Sequence, residues 1–152
     1  MKSADSSVRG RQLEEIAEAL PQRASALSQL FLTRSSVCVS RTEIGVLRRL
    51  AAGSRRITEL ATDEHVTQPA MTLLVNRLVE RGWVLRAPDP DDGRAVRVSL
   101  TAAGEDALHR LRAEYRALLQ AEMAGLDDEQ VHTLACAVEI LDQLIGGLTD
   151  RP

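Results

Sequence analysis

Four polar side chains recur along one segment, "VTQPAMTLLVNRLVERG": Gln68, Thr72, Asn76 and Arg77. Gln and Asn can each pair two-fold with an adenine edge, Arg with a guanine, and a Thr methyl can pack on a thymine. The segment opens on Thr67, a good helix cap, and Pro69 sits in the first turn, where its missing N–H costs little. Free N–H groups at such a helix start can hold a phosphate. Further on, "RAPDPDDGRAVRVSLT" crowds Asp89, Asp91 and Asp92 into a turn stiffened by Pro88 and Pro90, and Arg94 stands at its end. Fixing an arginine costs about 2 kcal/mol of rotamer entropy. A stiff turn, with Asp92 to pin the guanidinium, lowers that cost. Arg41, Arg48, Arg49, Arg55, Arg56, Arg86 and Arg97 are candidate phosphate contacts. Singly each reads as a solvated charge; as a set they supply salt-dependent attraction to a polyanion.

The elements that must position these groups follow from periodicity. Residues 11–34 read as helix, with Leu13, Ile16, Ala17 and Leu20 on one face and an expected kink or restart at Pro21. "SRTEIGVLRRLAAG" reads as a second helix ending near Gly53, and "RRITELATDEH" as a short third. The fourth helix carries a Met71, Leu74, Val75, Leu78 and Val79 stripe and ends at Gly82. The period then changes to two: "WVLRA" and "RAVRVSL" flank "PDPDDG", a β-hairpin with Trp83 as its core anchor. Thr101 caps a long helix over about 102–125, and Asp127 with Gln130 resembles a capping box for a last one. The expected fold is mainly α with a small β part (α+β). It is a winged helix-turn-helix with N- and C-terminal dimerisation helices. Residues 1–40 would form a tail and dimerisation helix, 41–101 the DNA-binding lobe, and 102–152 the C-terminal dimerisation helices, in one intertwined domain. The surplus apolar surface of the outer helices suggests the homodimer.

The net charge of −3 hides an asymmetry. Residues 41–101 hold 10 Arg against 8 Asp and Glu, a net of +2, whereas residues 102–152 hold 4 Arg against 10, a net of −6. The middle is thus the part suited to an anionic partner. No uninterrupted apolar run is long enough to span a membrane, and no apolar stretch follows Lys2, so a cytoplasmic protein without a signal peptide is expected. Cys38 and Cys136 share no metal-type spacing and read as buried free thiols without a His partner; His65, His109 and His132 have no mutual metal spacing. No cofactor and no metal are expected.

Taken together, "RITELATDEHVTQPAMTLLVNRLVERGWVLRAPDPDDGRAVRVSLTAAGEDAL" resembles the core of the MarR family of bacterial transcription regulators. The matching positions are Leu60, Ala61, Thr67, Gln68, Met71, Thr72, Leu78 and Gly82. They continue through Arg86, Asp89, Pro90, Asp92, Arg94, Leu100, Thr101 and Gly104. The resemblance implies a homodimer on an inverted-repeat operator in double-stranded DNA. It implies a helix from Thr67 to Arg81 in the major groove and Arg94 in the adjacent minor groove, with Asp92 ion-paired to Arg94. It also implies repression relieved by a small, often phenolic or otherwise aromatic, effector. The expected DNA-binding residues are Thr67, Gln68, Pro69, Thr72, Asn76, Arg77, Asp92 and Arg94, with Arg56 and Arg86. The sequence departs from the family pattern at Gly93, Leu73 and the Glu64-His65 turn, where His65 is expected in the left-handed conformation.

Other classes fit less well. No Gly-rich phosphate loop, Ser/His/Asp set or metal constellation points to an enzyme. Single-stranded nucleic acid is held by stacking on aromatics, and only 2% of this chain is aromatic. Two alternatives stay open: a winged helix that binds only protein, and a regulator that senses oxidation through a cysteine.

Overall fold

Each element starts and stops at residues whose local chemistry dictates it. The computed structural model describes residues 2–149, with side chains from residue 8 onward. The order is α1 (Lys2–Arg34), α2 (Arg41–Ala51), β1 (Arg55–Arg56), α3 (Ile57–Asp63), α4 (Gln68–Glu80), β2 (Val84–Pro88), β3 (Val96–Leu100), α5 (Ala102–Met123) and α6 (Asp128–Thr149). At α2 the Ser40 hydroxyl accepts the Glu43 N–H at 3.2 Å while the Glu43 carboxylate accepts the Ser40 N–H at 2.7 Å, a reciprocal cap. Gly53 follows α2 at φ 145°, a value that disfavours any side chain. His65 takes the left-handed conformation at φ 52°, as expected. Its own N–H reaches the Thr62 carbonyl and that of Val66 the Ala61 carbonyl, so α3 closes and the chain turns into α4. Thr67 caps α4, accepting the Ala70 N–H at 3.4 Å.

One apolar core unites α2, α3, α4 and the sheet. Val46, Leu47, Leu50, Leu60, Met71, Leu74, Val75, Leu78, Val84, Val98 and Leu108 are buried together, with Trp83 packed against them. The strands form an antiparallel sheet in the order β1-β3-β2. Register pairs Val84 with Leu100 and Pro88 with Val96, so Val84 and Val98 point inward. Strand β1, which pairs Arg55 with Val98 and Arg56 with Arg97, was not expected; two residues are too few to show a period.

The wing joins α5 through a tight junction. Thr101 donates its hydroxyl to the Gly82 carbonyl at 2.7 Å, accepts the Gly104 N–H at 3.1 Å, and donates its own N–H to the Trp83 carbonyl at 3.0 Å. A Cβ at position 104 would strike that carbonyl and the Leu100 side chain, so only glycine fits.

Three expectations are corrected. Helix α1 runs from Lys2 through Pro21 to Arg34 as one helix, so of the expected kink or restart the restart does not occur. A proline removes one hydrogen bond, a loss that a long helix can absorb. Both cysteines are exposed rather than buried. Cys38 lies in the loop before α2, and α6 buries none of its residues within the chain. Cys136 also has a His neighbour, with Sγ 3.8 Å from His132 Nε2; the i, i+4 spacing carried that signal. Helix α6 reaches a mean hydropathy of 1.3 over an 18-residue window, enough by length and composition to cross a membrane, although Glu139 and Asp142 interrupt any continuous apolar run.

The chain forms two compact units, Met1–Ala113 and Glu114–Pro152, with the boundary inside α5. In the first, α1 leaves Leu13, Ile16, Leu27 and Leu30 exposed. In the second, the Asp127 carboxylate accepts the Gln130 N–H at 2.8 Å and the Gln130 side chain accepts the Asp127 N–H at 3.1 Å, the expected capping box. Val131, Leu134, Val138, Leu144, Ile145 and Leu148 of α6 are all exposed.

Candidate nucleic-acid interface

Helix α4 buries Met71, Leu74, Val75 and Leu78, and this fixes what the rest of its surface shows. At roughly 100° per residue, Gln68, Thr72 and Asn76 rise in a row on one side of the open arc. Pro69 and Leu73 occupy its middle and Arg77 its far edge. Gln68, Pro69 and Leu73 are exposed, while Thr72 and Asn76 are half-buried. The Thr72 hydroxyl donates to the Gln68 carbonyl at 2.9 Å, so its oxygen can still accept. Arg77 lies on the α2 side, its guanidinium 3.7 Å from the buried Glu43 carboxylate. Arg86 donates to the Thr72 backbone carbonyl at 3.2 Å and so braces β2 against α4.

Between α4 and the wing lies a cleft of about 320 Å³, lined by Arg56, Ile57, Thr58, Gln68, Thr72, Asp92, Arg94, Ala95 and Val96. The structure therefore gathers five of the expected site residues in one place: Arg56, Gln68, Thr72, Asp92 and Arg94. Thr67 and Pro69 stand at the start of α4, and Asn76 lies further along it; Arg77 and Arg86 are held by other partners.

Arg94 is exposed, and among the described residues its guanidinium has no hydrogen-bond or ion-pair partner. The expected Asp92–Arg94 ion pair is replaced by a backbone contact: the Asp92 carboxylate accepts the Arg94 N–H at 3.1 Å. In such a turn the nearest donor to an aspartate is the N–H two residues on. Asp92 thus fixes where the Arg94 backbone lies and leaves the side chain open.

The buried charge of the wing is Asp89, 2% exposed. Its carboxylate meets Arg56 Nε at 2.6 Å and Arg97 Nε at 3.0 Å, and accepts the Asp91 N–H at 2.9 Å. Arg97 also reaches the Ser54 hydroxyl at 3.3 Å. The Arg56 hydrogen bond, then the Asp91 N–H, hold the Asp89 carboxyl far below the usual carboxylate range; burial opposes them, and Arg97 adds to the lowering. The same pair raises Arg56. Sequence reasoning placed Asp89 only as a motif position, because three aspartates in one turn give no sign of which points inward.

Other arginines are also engaged. Arg49 meets Glu64 at 2.7 Å and Asp63 at 3.4 Å, the Glu64 hydrogen bond chiefly raising it. Arg81 donates to the Cys38 carbonyl at 2.8 Å and lies 5.0 Å over the Trp83 ring. Arg41, Arg48 and Arg55 make no side-chain hydrogen bond or ion pair among the described residues.

A capped helix standing second in a helix-turn-helix, with a hairpin wing beside it, defines a winged-helix DNA-binding fold. Residues 39–96 match the model of the MarR family. An uncharacterised HTH-type transcriptional regulator of Mycobacterium bovis is 31% identical over 118 residues, which are 77% of this chain and 82% of the relative. The HTH-type transcriptional repressor IacR of Pseudomonas putida is 33% identical over 89 residues, 59% of this chain; the match spans only about half, 53%, of that relative. Wild-type apo MarR from E. coli superposes with a TM-score of 0.67 at 26% identity, over 85% of this chain and 95% of that one. The chain belongs to the MarR family and is a transcription regulator of winged-helix fold.

Proposed function

We propose that the protein is a homodimeric repressor that reads an inverted-repeat operator in double-stranded DNA and is released by a small aromatic or phenolic effector. The observation that carries the DNA reading is the cleft between α4 and the wing. There Gln68 and Thr72, from the major-groove helix, stand beside the unpaired Arg94. Gln68, Thr72 and Asn76 read base edges. The Thr67 end of α4, including Pro69, lies against a phosphate. Arg94 enters the neighbouring minor groove, whose negative potential favours arginine where it is narrow. Asp92 acts by fixing the Arg94 backbone. Arg77 and Arg86 approach the phosphates from positions set by Glu43 and Thr72, while Arg56 lines the cleft held by Asp89. The exposed apolar residues of α1 and α6 support the dimer, since such faces are covered when copies associate. Within it, residues 1–40 and 102–152 supply the dimerisation helices and 41–101 the DNA-binding lobe. A cytoplasmic location goes with this role.

The effector reading rests on the family resemblance, and the repressor reading on the likeness to the repressor IacR. A ligand that binds one spacing of the two α4 helices better than the other opposes operator binding reciprocally. The test is selection of the purified protein against a random duplex library. Enrichment of an inverted repeat with half-sites about 34–36 Å apart is expected; binding that is only salt-sensitive, with no enriched sequence, contradicts the proposal.

A further inference from the structure

We propose that Asp89 is the specificity-setting residue of the wing: it anchors the wing root to the start of α3 and withholds Arg56 and Arg97 from phosphates, so that Arg94 is the cation the wing presents. This rests on the duplex-binding reading above and assigns how that surface discriminates.

Three observations converge on Asp89. First, it is placed as a hub: its side chain is fully buried and bridges Arg56, from the β1–α3 junction, and Arg97, from β3. These residues are opposed in register, so one carboxylate spans adjacent strands. Second, it organises the tip. Its Oδ1 accepts the Asp91 N–H at 2.9 Å and its backbone N–H donates to the Ala95 carbonyl at 3.0 Å, while Ala95 donates to the Asp92 carbonyl at 2.8 Å. The turn that carries Arg94 is thereby tied to the same residue that grips α3. Third, the charges balance unevenly along the wing. Arg56 and Arg97 are each about a third exposed yet both are committed to Asp89, whereas Arg94 is unpaired.

Specificity is a difference between the right site and all others. Free arginines on a flexible wing would bind any phosphate and raise affinity for every sequence alike. A buried carboxylate between them removes that attraction and leaves the wing cation whose position is fixed. Asp89 is thus a positioning residue, acting through Arg56, Arg97 and Arg94 rather than by touching DNA.

The test compares wild type, Asp89→Asn and Arg97→Gln on a duplex enriched by selection and on a scrambled duplex of equal length, across a salt series. Asparagine keeps the shape and an acceptor for the Asp91 N–H but removes the charge. Asp89→Asn is expected to bind the scrambled duplex more tightly, with a log–log salt slope steeper by roughly 1–2, the release expected of one or two new phosphate contacts. Its preference for the enriched duplex should fall about ten-fold, the worth of one well-placed base contact. Arg97→Gln breaks the bridge without freeing that arginine, so preference should fall with no steepening. A merely structural Asp89 would weaken both duplexes together and leave the slope alone; that result, or unchanged preference in both variants, overturns the inference. Should Asp89→Asn fail to fold, Arg97→Gln decides alone, since it retains the Arg56–Asp89 pair. A wild type with no preference for any duplex overturns the duplex reading and this inference with it, whereas a discriminating wild type with equally discriminating variants overturns only this one.

Discussion

Replacing Gly104 with alanine should destabilise the protein, and the contrast with Gly45 shows why. A Cβ at position 104 meets the Trp83 backbone carbonyl and the Leu100 side chain well inside contact distance. That carbonyl cannot retreat freely, because it accepts the Thr101 N–H at 3.0 Å. Overpacking of this kind costs about 1–3 kcal/mol, and here the obstacle is backbone, which argues for the upper half. Against it stands the helix gain of alanine over glycine, at most about 1 kcal/mol, reduced in the first turn. The net loss is about 1–2 kcal/mol, which for a domain of this size lowers Tm by roughly 2–8 °C. At Gly45 the added Cβ also collides, but with the carboxylate end of Glu64. A side chain can swing away, at the cost of the 2.7 Å Arg49–Glu64 pair, which is partly exposed and worth about 1 kcal/mol or less. The helix gain nearly cancels that cost. Thermal unfolding at one fixed protein concentration, since association shifts Tm, is the assay. Gly104→Ala should melt clearly below wild type and Gly45→Ala within about 1 kcal/mol of it. A Gly104→Ala variant as stable as wild type refutes the reasoning, and so does equal damage at both sites.

Three further outcomes are expected. Arg94→Ala should weaken binding to an enriched duplex by more than one generic phosphate contact, as seen by anisotropy at matched salt; unchanged affinity would remove its minor-groove role. The stability that Asp89 contributes should follow the sign of its lowered carboxyl: fully present above the unfolded carboxylate value of about 3.9 and lost only as pH falls toward the folded value. The gap in unfolding free energy between wild type and Asp89→Asn should therefore hold constant from neutral pH down to about 5 and close below about 4; a gap that closes near neutrality would contradict it. Leu144→Asp with Leu148→Asp on α6 should turn a sedimenting dimer into monomer, and an unchanged mass would show that another surface joins the copies.

The sequence made much of the architecture legible because its signals are local. The Thr67 cap, Pro69, the stripe on α4, the change of period at Trp83 and the left-handed His65 each depend on a few neighbouring residues. What stayed hidden depends on residues distant in sequence. Nothing near Asp89 says that it meets Arg56, 33 positions earlier, or near Arg86 that it reaches the Thr72 carbonyl, 14 positions earlier. Charge counts gave residues 41–101 ten arginines without showing that Arg49, Arg56, Arg77 and Arg97 already have carboxylate partners. The thiols failed for a related reason: an apolar helix predicts a buried cysteine only if something covers it, and α6 fully buries none of its residues.

In the proposed complex, α4 reads the major groove while Arg94 enters the minor groove beside it. Dimethyl sulfate footprinting of an enriched duplex separates the two, since guanine N7 lies in the major groove and adenine N3 in the minor. The expected result is guanine N7 protection within each half-site, flanked by adenine N3 protection that disappears in Arg94→Ala while the guanine protection remains. Protection confined to one groove, or adenine protection that survives the loss of Arg94, would contradict the account.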